Sequence, residues 1–329
     1  MRFAVLLGVL LATSLKAIAL MTPSATTANS ESDALFAPAS IWNNVGIAGD
    51  STGEYLGNGW MITANHVAGA NTHISFQLTI AGVPHLWSGV GSQLGNHDIF
   101  LAHLDADSSG HLPEDYGAFG VTIATSSPGV GTPVSLIGYG YTATSAANYY
   151  TVSGSTWSSS TINDPNSVAV YSWGQTPTLK KTWGTNTIWG TSASGSNLPG
   201  TSTPISEYTL NRDDALAIDF SSSRNGSLPA SRDAATSFES GGALKDSGAG
   251  MFVNVNGTMQ LVGLLDTVLT WEGQPGNTTT VTNDTFAIDL TRYAVEIQAA
   301  MVPEPNVVGL MFVGFIALSS GLRQGSNRR

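Results

Sequence analysis

Short apolar segments, each closed off by Gly, Asn, Asp or Pro, recur along this chain, and they constrain its fold more than any single motif does. They are Tyr55–Ala64, Ile74–Ile80, Ile99–Leu104, Val134–Ile137, Ala215–Phe220, Met251–Val255 and Gln260–Leu265. Several are rich in β-branched residues and alternate in part between apolar and polar positions, as strands with one buried face do. Helical periodicity is confined to Thr291–Ala300. The coarse reading is an all-β core with a terminal helix. At 329 residues the chain suits one two-lobed domain or two small ones.

Composition removes whole classes of function. The formal net charge is −11 with only 12 Lys and Arg, and no basic stripe crosses the folded part, which argues against nucleic acid or an anionic membrane as partner. Cysteine is absent, so disulfides, thiolate metal sites and a cysteine nucleophile are excluded together. His73, His85, His97, His103 and His111 form no His-Glu-x-x-His pair, and no glycine-rich loop opens a helix. Neither a metal nor a cofactor is expected. His97, next to Asp98, is expected on the opposite face of the strand, exposed to solvent.

Both ends look like targeting segments. Arg2 precedes an apolar run from Phe3 to Leu20, and Ala17-Ile18-Ala19 has the small-x-small pattern of a cleavage site, so residues 1–19 read as a signal peptide and 20–40 as a flexible segment. At the other end Pro303-Glu304-Pro305 leads into the apolar stretch Asn306–Leu322, followed by Arg323, Arg328 and Arg329. This order, over residues 301–329, resembles the PEP-CTERM sorting signal of Gram-negative bacteria. The resemblance implies recognition by an exosortase, a transmembrane helix at 306–322, and an exported product that is secreted or held at the cell surface. A plain C-terminal anchor is the alternative.

A hydrolase that attacks a carbonyl with serine needs a base, an acid to orient that base, and donors for the oxyanion. His66, in Thr63-Ala64-Asn65-His66-Val67, follows a strand-like run and is a candidate base. Asp98 immediately precedes the apolar strand Ile99–Leu104, where it can sit half-buried and accept from a histidine N–H. Ser247 stands beside Gly248 in Asp246-Ser247-Gly248-Ala249-Gly250, a tight turn able to expose a hydroxyl and aim backbone N–H groups at one point. Ser240, before Gly241-Gly242, is a second candidate nucleophile.

These blocks resemble those of the chymotrypsin-like (trypsin-family) serine proteases: GWMITANHV their G-W-x-L-T-A-A-H, NHDIFLAHL their D-I-A-L-L-x-L, and KDSGAG their G-D-S-G-G-P. The resemblance spans about Trp42 to Ala300. It implies a double six-stranded β-barrel at 41–300, a triad of His66, Asp98 and Ser247 in the cleft between barrels, and peptide-bond hydrolysis through an acyl-enzyme. Ser247 is preferred over Ser240 because it lies 16 residues before Gly263, the family's separation. Gly138-Tyr139-Gly140 resembles the family's Gly-Trp-Gly turn, and residues 141–211 match poorly and read as an insertion in which Trp183 and Trp189 are packing anchors.

The chain also departs from the family pattern. Lys245 stands where the family has the glycine that donates one oxyanion N–H, the other donor being Ser247. Gly241 replaces the acid that selects Lys or Arg, and Asp266-Thr267-Val268 replaces Ser-Trp-Gly. Gly241, Asp266 and Val268 are thus the expected substrate-pocket residues, with Val268 narrowing the pocket toward small apolar side chains. No Ile-Val-Gly-Gly activation site follows the signal peptide, so Asp246 needs some other partner. A protease-fold surface protein that has lost catalysis is the rival reading.

Overall fold

The computed structural model describes residues 18–21, 39–141, 147–172, 179–221, 226, 228–229, 231–236, 238–243, 245–280 and 282–302. After a strand β1 (Ile18–Met21) and a helical turn α1 (Ala39–Trp42), six strands close into a barrel. They are β2 (Val45–Ala48), β3 (Ser51–Gly57), β4 (Trp60–Ala64), β5 (His73–Ile80), β6 (Val83–Gln93) and β7 (Ile99–Leu104), in the order β2-β3-β4-β7-β6-β5. Along β5, Ile74, Phe76, Leu78 and Ile80 alternate inward and meet Tyr55, Met61, Trp87 and Phe100. The expected single strand Tyr55–Ala64 is in fact a hairpin. Asn58 and Gly59 take φ of 52° and 77°, the paired left-handed conformation whose twist suits a two-residue connection.

The rest of this unit comprises β8 (Pro133–Tyr141), β9 (Asn148–Ser153), β10 (Thr156–Ser159), β11 (Val168–Ser172), β12 (Leu179–Thr187), β13 (Gly190–Thr191), β14 (Ala215–Asp219), β15 (Gly241–Ala243), β16 (Gly250–Val255), β17 (Thr258–Leu269), β18 (Thr278–Thr280) and β19 (Asp284–Asp289). Seven of them form a sheet in the order β12-β8-β16-β17-β19-β14-β13. Its two edge strands are consecutive in the chain, separated only by Ile188 and Trp189, so one extended run supplies both edges and the sheet curls on itself.

This differs from a second closed six-stranded barrel, and the bend explains why. The Ile188 N–H donates to Thr132 O on the β8 side, whereas the next N–H, of Trp189, donates to Ala217 O of β14. The strand changes partner between these two residues, and the ladder is interrupted instead of running round. Leu136, Met251, Val262, Leu216 and Ile218 pack inside.

Residues 141–211 divide between two structures. β9, β10 and β11 join β18 in a separate four-stranded sheet, while β12 belongs to the curled one. Trp183 is buried with its ring 4.8 Å from that of Phe238, and the Arg232 guanidinium lies 4.6 Å from the Trp189 ring centroid. Ile18–Met21, which includes the end of the expected signal peptide, pairs antiparallel with β15.

Residues 293–329 form a second compact unit, of which the helix α3 (Ala294–Met301) is described. The helix starts later than Thr291 because Leu290–Arg292 makes a 3-10 turn, with Asp289 accepting the Thr291 N–H and hydroxyl. Residues 1–17 and the sorting segment from Pro303 onward lie outside the described residues. Among the described residues no helix is long and apolar enough to cross a membrane.

Candidate active site

Strand β4 ends in Ala64, whose extended backbone starts a single helical turn, α2 (Asn65–Ala68), and this turn presents His66. The residues that begin the turn are tied to Asp98. The Asn65 N–H donates to Asp98 O at 3.0 Å, and the His66 N–H donates to Asp98 Oδ1 at 2.8 Å. The other carboxylate oxygen lies 2.5 Å from His66 Nδ1. With the ring proton on Nδ1, His66 donates to Asp98 and leaves Nε2 as an acceptor, and Nε2 is in hydrogen-bond contact with Ser247 Oγ. The three expected residues therefore meet in one chain of contacts.

The serine loop is anchored on the first barrel. Ser247 O accepts the Thr52 N–H at 3.2 Å and the Ser51 hydroxyl at 3.0 Å, and Gly248 N–H donates to Leu265 O at 2.9 Å. Gly248 has φ 80°, and a Cβ there would lie 2.3 Å from both Thr52 O and Thr63 Oγ1, so no side chain fits. Ser240 sits elsewhere: its N–H donates to Thr185 O, its side chain packs on Gly184, and among the described residues it makes no hydrogen bond to His66.

Lys245 has φ 82°, a left-handed conformation that strains a residue with a Cβ. Two contacts hold it there: the Ser51 hydroxyl donates to Lys245 O at 2.8 Å, and the Lys245 ammonium pairs with Asp50. Among the described residues neither the Lys245 nor the Ser247 backbone N–H has an acceptor. Asp246 is buried, with Oδ2 accepting the Ala243 N–H at 3.1 Å and Oδ1 near Gly138. Burial holds its carboxyl well above the usual range.

Two further carboxylates stand behind His66 and Asp98. Asp213, just before β14, is 2% exposed; its Oδ2 accepts the Asp98 N–H at 2.8 Å and its Oδ1 lies 2.6 Å from His97 Nδ1. His97 is thus partly buried and paired, not free in solvent. Asp266 faces the same cluster, with Oδ1 at 3.7 Å from His66 Nδ1 and Oδ2 accepting the Leu210 N–H at 2.9 Å. Burial, reinforced by the charge of Asp98, pushes the Asp266 carboxyl well up.

Side-chain atoms of His66, Asp98 and Asp266 all lie within 4.8 Å of one another, a donor set that a metal could use. The 2.5 Å between His66 Nδ1 and Asp98 Oδ2 is, however, a hydrogen-bond distance. A tetrahedral zinc ligated at about 2.0–2.1 Å would hold two ligand atoms about 3.3 Å apart.

Of the other expected pocket residues, Gly241 faces Phe220, and Val268 packs against the neighbouring Gly242 instead. A Cβ on Gly241 would lie 3.1 Å from Phe220 Cβ, and one on Gly242 would lie 2.8 Å from both Val268 Cγ2 and Thr285 Cγ2. The side chain of Val268 therefore leaves no room for a Cβ at Gly242. A cavity of about 290 Å³, lined by residues including Ile41, Phe119 and Met259, contains none of the site residues.

No protein-family model matches the chain, and neither does any curated protein. Among solved structures it is similar to neuropsin, a serine protease expressed in the limbic system of mouse brain, at 16% identity and TM-score 0.43, over 80% of this chain and 96% of that one. It is also similar to Rv3671c from M. tuberculosis at 14% identity and TM-score 0.41, over 81% and 92%. The MamO protease domain from Magnetospirillum magneticum is similar at 10% identity and TM-score 0.40, over 80% and 98%.

Proposed function

We propose that the chain is a serine endopeptidase with a trypsin-like arrangement of its site. The observation that carries this is His66 bridging Asp98 and Ser247, with Nδ1 at 2.5 Å from the carboxylate and Nε2 in contact with the hydroxyl. A histidine with a structural role alone has no need of a serine on the nitrogen opposite its carboxylate. The relay is the one a nucleophilic hydroxyl requires.

In the proposed reaction Ser247 Oγ forms a bond to the carbonyl carbon of a peptide while its proton passes to His66 Nε2. Asp98 stabilises the imidazolium and fixes its orientation. The carbonyl oxygen gains the negative charge and is held by the N–H groups of Lys245 and Ser247. His66 then protonates the departing amine as the C–N bond breaks, leaving an acyl-enzyme. Water, deprotonated by His66, adds to the ester carbonyl; the bond to Ser247 Oγ then breaks, His66 returns the proton to that oxygen, and the acid product leaves. The place of Val268 in the sequence, and its packing against Gly242, support a preference for a small apolar side chain on the acyl side of the cleaved bond.

The sequence at the two ends supports export from a Gram-negative cell, with exosortase-type machinery as partner at the C-terminus. The activity is tested by fluorophosphonate labelling of the wild type, Ser247→Ala and Ser240→Ala. Labelling of the wild type and Ser240→Ala but not of Ser247→Ala is the expected pattern. An unlabelled wild type favours the non-catalytic rival, for which the strained Lys245 is the specific observation.

A further inference from the structure

We propose that Asp266 is a positioning residue that carries a proton at the working pH and donates it in a hydrogen bond to Asp98. This rests on the protease reading and goes beyond the pocket role that its place in the sequence suggests.

The hydrogen-bond donors are shared unequally among the three carboxylates. Asp98 receives two N–H groups from His66, one from the backbone to Oδ1 and one from the ring to Oδ2, so its ionised form is well supplied. Asp213 has the Asp98 N–H on one oxygen and His97 on the other. Asp266 has a single donor, the Leu210 N–H on Oδ2, and its Oδ1 is buried with no donor among the described residues. The charged and titratable groups facing it are Asp98, His66 and Asp213.

Carboxylates in a dry cluster this tight do not all stay ionised, and the proton goes to the one with the fewest donors. That is Asp266. A proton on Oδ1 satisfies the orphaned oxygen and turns a repulsive contact with Asp98 into a hydrogen bond. It also keeps a second negative charge away from His66. The direction of the shift at Asp266, raised by burial and by Asp98, agrees with the geometry.

The test compares the full-length wild type with Asp266→Asn and Asp266→Ala. The midpoint of the acid limb of fluorophosphonate labelling is read against pH, and the His66 ring resonances are titrated in parallel by NMR. The amide of Asn mimics the proton-bearing acid, so Asp266→Asn should leave the midpoint within about 0.3 pH units, while Asp266→Ala, which removes the donor to Asp98, should raise it by about half a unit or more. A midpoint lowered by about one unit or more in Asp266→Asn would mean that a negative charge had been removed, and would overturn the proposal. So would an unchanged midpoint in Asp266→Ala, the outcome of a purely structural role. If Asp266→Ala does not fold, Asp266→Leu, close to aspartate in shape, offers a second side chain without a donor. The NMR titration decides the matter even where the wild type takes no label, so a failed protease reading and a failed role for Asp266 give different results.

Discussion

Asp213 accepts the backbone N–H of Asp98 at 2.8 Å, so the carboxylate that orients His66 is itself held from behind by another. Both are 2% exposed. In Asp213→Ala the buried Asp98 N–H loses its acceptor, at a cost of about 1–3 kcal/mol. His97 loses its partner as well. Urea denaturation should show that loss, and the labelling rate of Ser247 should fall about tenfold or more as Asp98 loosens. Unchanged labelling would show that Asp98 needs no such support.

Lys245 serves through its backbone in this account, and its side chain only pins a strained loop to Asp50. Replacing it with glycine relieves a left-handed φ worth about 1 kcal/mol or more. The lost ion pair, with Asp50 largely exposed, contributes about 0–1 kcal/mol. In Lys245→Gly, stability should therefore stay within about 1 kcal/mol of wild type, and kcat/KM should not fall, since the N–H remains. A large loss of kcat/KM would assign a direct role to the ammonium.

Val268 packs directly against Gly242. Against a peptide library, the wild type should prefer Ala or Val on the acyl side of the cleaved bond. Val268→Gly should shift the preference toward Leu or Phe by about tenfold or more, the scale of one or two methylenes in an apolar pocket. An unaltered preference would place the specificity pocket elsewhere.

A second acidic cluster adds to the pH dependence of stability, beside the raised Asp246 and Asp266. Burial, with Asp219 adding to it, pushes Asp233 up to about 7, and burial does the same for Glu239. In the unfolded chain such groups lose their protons near pH 4, whereas the folded protein keeps them to about pH 7. Their contribution to stability is full below about pH 4 and is lost as the pH rises toward 7. Thermal melts should show a lower Tm at pH 8 than at pH 5. Asp233→Asn, whose amide can donate toward Asp219, should reduce the matching difference in unfolding free energy by about 1 kcal/mol, a figure discounted for the partial exposure of Asp233.

His66, Asp98 and Ser247 could be read from the sequence because each stands at a strand end or tight turn with its own local signature. Asp213 could not. It lies in a polar run, and its partners Asp98 and His97 are 115 and 116 residues away, a distance over which no local pattern speaks. The same contact draws His97, expected in solvent from strand alternation, into a partly buried pair. Asp266 is expected at the pocket because Asp266-Thr267-Val268 stands where the resembled family has Ser-Trp-Gly. A register shift between Leu265 and Thr267, in the pairing of β17 with β19, falls where Asp266 turns toward His66 and Asp98. The hairpin at Asn58-Gly59, by contrast, did carry a signal, since that dipeptide favours two consecutive left-handed residues.

The central claim is that Ser247 is a nucleophile activated by His66. The most direct measurement is to treat the full-length protein with a fluorophosphonate, count adducts by intact mass, and map the modified residue by peptide sequencing, with His66→Ala in parallel. One adduct per chain on Ser247, slowed at least a thousandfold in His66→Ala, is the predicted result. An adduct on Ser240, no adduct at all, or equal labelling of His66→Ala would contradict it.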